Sequence, residues 1–378
     1  MRINTKLRES LINTTLVIVS ILVGLLLIES YFAVFNPQLP VQTANKENEF
    51  KFFEYDSLLG WKNKPNAEGI FVMPDSTTLV KINSKGLRDK EYDYNKPEGI
   101  KRIIVLGDSF TWGYGVEAKD RFTEILNNKL PDNYEVINMG VSGYGTDQEL
   151  LTLEREGLKY NPDLVVVGFH PGTDLDDNTN AIRYSYPKPL FVLSENNTLS
   201  LTNIPVPNKD DWTRRLEEDK GSWFAALKTF LSEHFHTYVF FSRVIDSNPT
   251  LSKLFQSIGL MEKQPFYKQY SWDLTESLLG EINTVSKNNG ARTIIFIIRY
   301  QYTDIRLNDA MDKIATNLFD FGKRNDIAVV DYLPTFIKYA GTGEQLYFKH
   351  DGHLTASGNK LAAEFIYDNL VEDGLISR

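Results

Sequence analysis

From Lys101 onward, short apolar runs alternate with longer stretches whose apolar residues recur at helical spacing. A run of four to six apolar residues suits a strand buried on both faces, and an amphipathic stretch between two such runs suits a helix laid across a sheet. Repeated, this alternation restricts the chain to βαβ units around a mainly parallel sheet. It predicts strands at 102–106, 135–138, 164–169, 293–298 and 327–331, with helices at 121–130, 146–159, 274–287, 309–323 and 355–370. Thr146 and Glu149 read as a capping box that starts the second of these helices.

Ahead of this region the chain differs. No charged residue occurs from Leu11 to Ile28, and Arg2, Lys6 and Arg8 precede the run, offset in part by Glu9. A bilayer core needs about 20 apolar helical residues, and basic residues stay on the cytoplasmic side. The expectation is a cytoplasmic tail at 1–10, a retained signal anchor at 11–35 with Tyr31, Phe32 and Phe35 at the far interface, and an extracytoplasmic remainder. No small-x-small cleavage site follows the run. Residues 36–100 hold turn signals around short extended runs at 69–73 and 78–82, a β-rich lead-in to a domain at 101–378. Within that domain the aromatic, Pro-containing stretch at about 180–270 reads as a cleft-shaping insertion.

Composition removes several classes of chemistry. The net charge of −9 lacks the basic stripe that nucleic acid requires. The absence of cysteine excludes disulfides, thiolate metal sites and cysteine nucleophiles. No cofactor motif occurs, and Asp174, Asp176 and Asp177 read as a solvated acidic loop rather than a cation site. Any histidine-dependent step must use His170, His234, His236, His350 or His353, of which His234 and His236 sit in an aromatic stretch and read as structural.

The apolar run at 102–106 leads directly into Gly107-Asp-Ser109. Ligands gather at the carboxyl ends of parallel strands, which is where Ser109 would stand as a nucleophile, with Gly107 permitting the turn. A serine needs a base. His353, just ahead of the terminal helix, is the candidate, Asp351 can orient it, and His350 is the rival.

These residues resemble the blocks of the SGNH/GDSL hydrolases over about 56–372. Gly107-Asp-Ser-Phe110 matches the first block, Asn138-Met-Gly-Val-Ser-Gly143 the second and Asp351-Gly-His353 the last. The resemblance implies a flavodoxin-like three-layer α/β/α fold with a five-stranded, mainly parallel sheet. It further implies Ser109 as nucleophile, His353 as base, Asp351 as its orienter, and the N–H groups of Ser109 and Gly143 as oxyanion donors. Two departures stand out. Thr173 occupies the position of the third block's asparagine, so that its hydroxyl or the amide of Asn178 would have to replace that donor, and the last block is one residue short. The family includes esterases and O-acyltransferases. An exported site rimmed by Trp112, Tyr114, Tyr144, Tyr300 and Tyr302, if these are not core residues, would meet acylated glycans. The competing expectation is a catalytically weak glycan-binding or scaffold protein.

Overall fold

The computed structural model describes residues 5–35, 51–184, 186–194, 196–208, 230–231, 234–238, 240–241, 269–299, 305–340 and 342–376. Tyr300 and Tyr302 and most of 209–268 lie outside this set. The chain divides into two units, Met1–Thr43 with Leu216–Gln264, and Ala44–Arg215 with Pro265–Arg378.

In the first unit, helix α1 (Thr5–Phe35) contains a 24-residue stretch, Ile12–Phe35, long and apolar enough to cross a membrane. Leu16, Leu22 and Leu26 stand exposed around it, as on a helix that is apolar on every side. Glu29 interrupts the run, and its carboxylate accepts the backbone N–H groups of His236 and Thr237, each at 2.8 Å.

The second unit is built on a five-stranded, wholly parallel sheet. Its strands are β5 (Lys101–Gly107), β6 (Tyr134–Asn138), β7 (Leu164–Phe169), β12 (Arg292–Ile297) and β13 (Ala328–Asp331), in the order β6-β5-β7-β12-β13. This is the flavodoxin-like order, in which the chain moves outward on one side of β5 and then returns to its other side at β7. Side chains alternate across the sheet, so Ile104, Leu106, Val165, Val167 and Ile295 face one layer while Ile103, Val105, Val166, Ile294 and Phe296 face the other. The first layer is α4 (Thr146–Arg155), α6 (Gln269–Asn288) and α7 (Ile305–Asn325); the second includes α3 (Phe122–Lys129), α8 (Leu333–Ala340) and α9 (Ala356–Glu372).

The start of α4 corrects the capping expectation. Gly145 precedes the helix, and its N–H donates to Gln148 Oε1 at 3.4 Å. Thr146 is already the first helical residue, so its hydroxyl cannot cap its own helix. The Thr146 hydroxyl and both Glu149 carboxylate oxygens are buried without a hydrogen-bond partner. The helix also stops at Arg155, before a 3₁₀ turn at Gly157–Tyr160.

The lead-in consists of two antiparallel hairpins, β1 (Phe53–Asp56) with β2 (Gly60–Asn63) and β3 (Glu68–Val72) with β4 (Thr77–Lys81). It shares the second unit with the sheet. Phe52, Phe71, Met73, Val80 and Ile82 form one apolar cluster with Trp112, Tyr114 and Phe348. Arg88 lies 4.4 Å from the Trp112 ring centroid and donates to the carbonyls of Trp112, Gly113 and Val116 at 3.1, 2.5 and 2.7 Å. After β7 come two further hairpins, β8 (Ile182–Arg183) with β9 (Tyr186–Pro187) and β10 (Leu190–Leu193) with β11 (Leu199–Thr202). Lys188 joins them to α4 through a fully buried ion pair with Asp147, and removing one partner of such a pair typically costs about 3–5 kcal/mol.

Candidate active site

β5 ends at Gly107, where an added Cβ would fall 2.0 Å from Thr111 Oγ1. Glycine there lets the strand turn at once into the short helix α2 (Ser109–Trp112). The Asp108 carboxylate caps this helix by accepting the Phe110 N–H at 2.9 Å. Ser109 is its first residue, and an N–H at that position has no acceptor within the helix. Asn138, at the end of β6, ties the neighbouring loop to α2: its Nδ2 donates to Thr111 O at 2.5 Å and its Oδ1 accepts the Gly140 N–H at 2.9 Å. A Cβ on Gly140 would meet Trp112 N at 2.4 Å, so the two backbones touch.

Against Ser109 the chain places the loop before α9. Phe348 N–H donates to His353 O at 2.8 Å and Gly352 adopts φ +83°, which closes the loop on itself. His353 Nε2 lies 2.7 Å from Ser109 Oγ. Its Nδ1 contacts Asp351 Oδ1, and its backbone N–H reaches the same oxygen at 3.3 Å. With the carboxylate as acceptor, Nδ1 carries the ring proton and Nε2 is free to accept the serine proton. Burial pushes the Asp351 carboxyl up, but the His353 charge and hydrogen bonds outweigh it and hold the carboxyl below its ordinary value. The imidazole packs on Phe110 and Tyr114, each with ring centroids 4.5 Å away. His350 faces elsewhere: it is exposed, with Nδ1 and N–H on the Asp75 carboxylate at 2.6 and 2.8 Å.

Gly143 adopts φ +80°, and a Cβ there would lie 2.6 Å from Tyr184 Cε2 and 3.4 Å from Trp61 Cζ2. The two remaining residues expected at the oxyanion are engaged in other bonds. Thr173 Oγ1 lies 2.7 Å from His170 Nδ1 and donates to Asp174 Oδ1 at 3.3 Å. Burial, reinforced by the charges of His353 and Arg183, pushes the His170 imidazole down to about 3, so it is neutral. In one tautomer His170 takes the threonine proton, and in the other that proton goes to Asp174. In the first tautomer the hydroxyl has none left for an oxyanion, and in the second its proton is held only by the 3.3 Å contact to Asp174. Asn178 is buried, accepting the Asp147 N–H at 3.2 Å and donating to Thr275 Oγ1 at 2.9 Å. The structure does not bring its amide to the Ser109–His353 pair.

The acidic loop is also unlike its expectation. In the short helix α5 (Asp174–Asp177), Asp176 is exposed but Asp174 and Asp177 are buried, and Arg183 and Lys188 arrive from the insertion to cover Asp177. Asp177 pairs with Arg183 at 3.0 Å, and its carbonyl accepts Lys188 Nζ at 2.8 Å. Burial outweighs these cations and pushes the Asp177 carboxyl up to about 7. Burial likewise raises Asp108 to about 6 and drives Asp174 and Glu149 well above the carboxylate range. Trp112, Tyr114 and Tyr144 are 0%, 9% and 1% exposed, which makes them core residues and leaves no face for a sugar. Among the described residues, no group of three or more histidines or carboxylates is placed to hold a metal ion.

A serine, an imidazole and a carboxylate stand in sequence at the switch point of a parallel α/β sheet, an arrangement that serine hydrolases use. Residues 105–169, the stretch from β5 to β7 that holds Ser109 and Gly143, match the GDSL-like Lipase/Acylhydrolase family. No curated protein sequence matches the chain. Among solved structures it is similar to a lipolytic protein of the G-D-S-L family from Veillonella parvula, at 14% identity over 72% of this chain and 98% of the other, TM-score 0.39. It is similar to the lipase/acylhydrolase from Enterococcus faecalis at 15% identity over 74% and 98%, TM-score 0.38. A third is a catalytic mutant of an acetylxylan esterase from Geobacillus stearothermophilus, at 12% identity over 74% and 97%, TM-score 0.40.

Proposed function

We propose that the protein is a membrane-anchored serine esterase or O-acyltransferase acting on acyl esters, most simply acetyl esters, of a cell-envelope or exopolysaccharide glycan. The observation that carries the reading is the 2.7 Å approach of Ser109 Oγ to His353 Nε2, with Asp351 on the other ring nitrogen. Ser109 Oγ attacks the ester carbonyl while His353 Nε2 takes its proton. The tetrahedral oxyanion is held by the N–H groups of Ser109 and Gly143. His353 then returns the proton to the departing sugar oxygen, leaving acetyl on Ser109. Water or a second sugar hydroxyl, deprotonated by His353, attacks the acyl-enzyme and restores the serine. Water as acceptor makes an esterase and a sugar makes a transferase.

The apolar stretch of α1 and the basic residues before it support an anchor with the catalytic unit outside the cytoplasm. The engaged Thr173 hydroxyl favours the second reading, a weak catalyst that mainly binds glycan. Labelling the full-length protein with a fluorophosphonate separates the two. We expect label on Ser109 and none on Ser109→Ala; a folded wild-type protein that takes no label would defeat the enzymatic reading.

A further inference from the structure

Among the described residues, six that are not glycine adopt positive φ: Asn66, Asn161, Asn197, Asn203, Asp326 and Tyr184. Asparagine and aspartate tolerate this region because their short polar side chains bond locally, whereas a bulky aromatic residue rarely enters it. Tyr184, at φ +52°, is the exception and sits at the tip of the β8–β9 hairpin. Core burial does not account for it, since the residue remains 38% exposed.

The ring is nonetheless held. Its Cε2 edge seats on Gly143, close enough that a Cβ there would overlap it. Arg183 lies over it at 4.5 Å from the ring centroid and donates to its hydroxyl at 3.3 Å. Arg183 is itself tied to buried Asp177. The hairpin therefore accepts an unfavourable backbone to present a fixed, partly exposed aromatic surface beside the peptide assigned to the oxyanion. Strain of this kind collects at ligand sites, and a surface immobilised in advance loses little freedom on binding.

Resting on the esterase reading above, we propose that Tyr184 is the platform on which the pyranose ring bearing the ester stacks. A pyranose offers an apolar face of C–H groups to an aromatic ring and hydroxyls to the polar surroundings. An acyl chain, by contrast, would need an enclosed apolar groove. The assignment makes Tyr184 a specificity residue for sugar esters over acyclic ones.

The test compares hydrolysis of glucose pentaacetate with that of triacetin by the full-length protein. Tyr184→Gly removes the ring and adopts the same φ without strain, which offsets part of the packing it loses, and its melting curve verifies that the variant is folded. We expect its ratio of kcat/KM for glucose pentaacetate to that for triacetin to fall about tenfold, mainly through KM. Tyr184→Phe should hold the wild-type ratio. An unchanged ratio in Tyr184→Gly overturns the platform, as does an equal loss on both esters. A wild-type protein inert towards both would instead defeat the ester reading itself.

Discussion

The indole N–H of Trp61 donates to the carbonyl of Ser142 at 3.0 Å. The Ser142–Gly143 peptide is planar and trans, so fixing its carbonyl also fixes the opposite direction of the Gly143 N–H. A lead-in residue thereby aims the group assigned to the oxyanion. Trp61→Phe keeps most of the ring packing but removes the donor. We expect kcat on a short-chain aryl acetate to fall at least about tenfold with KM within about twofold, since a donor of this kind acts on the transition state. A variant that shifts KM alone would show that Trp61 shapes binding instead.

The two loop histidines should separate sharply. His353→Ala is expected to lower kcat at least about a thousandfold, as loss of a triad base does. His350→Ala should cost less than about tenfold in kcat, because that ring is held by Asp75. Asp351→Asn should fall between, losing the carboxylate but keeping the imidazole. Steady-state rates of the three purified variants decide it, and a crippled His350→Ala beside a near-normal His353→Ala would reverse the assignment.

Thr173→Val tests the engaged hydroxyl. If its proton stays with His170 or Asp174, kcat should change by less than about threefold. A hydroxyl that swings to the oxyanion would reveal itself by a loss of about a hundredfold or more.

Stability should depend on pH through the buried acids. Burial first, then the charges of Asp108 and Asp147, drives the Glu149 pKa well above 4.5. The folded protein thus keeps a proton that the unfolded chain releases. This contribution is whole below about pH 4.5 and is lost as pH rises towards the folded pKa. Asp177 acts in the same sense between 3.8 and about 7. Glu149→Gln removes one such slope. We expect it to melt a few degrees above wild type at about pH 8, with the gap closing towards about pH 4.5, since each kcal/mol moves Tm by about 2–4 °C in a large domain. Parallel melting curves across that range would refute the account.

The sheet was legible because its central strands β5, β7 and β12 are buried on both faces and therefore written as continuous apolar runs; β7 falls at 164–169 as expected. The GDSL-type blocks name Ser109, Asp351 and His353, which the fold gathers across 244 positions. What the sequence hides is long-range polar contact. Nothing local marks Trp61 as the partner of Ser142, 81 residues away. Asp177 reads as solvated until Arg183 and Lys188 cover it. Thr146 and Glu149 have the spacing of a capping box, but the helix begins one residue too early to use it. Tyr184 has a signal only in its backbone angle, which no residue pattern displays.

The separation of Ser109 from His353 also sets a timetable. The nucleophile turn follows the first strand of the sheet, whereas the histidine comes after the fifth strand and is seated by α9, whose Asn359 Oδ1 accepts the Phe122 N–H at 3.0 Å. On the proposed mechanism, a chain that has emerged only as far as β13 has its serine and no base. Reactivity is then a property of the finished molecule, and a nascent chain would be harmless to any ester it meets until its last helix docks.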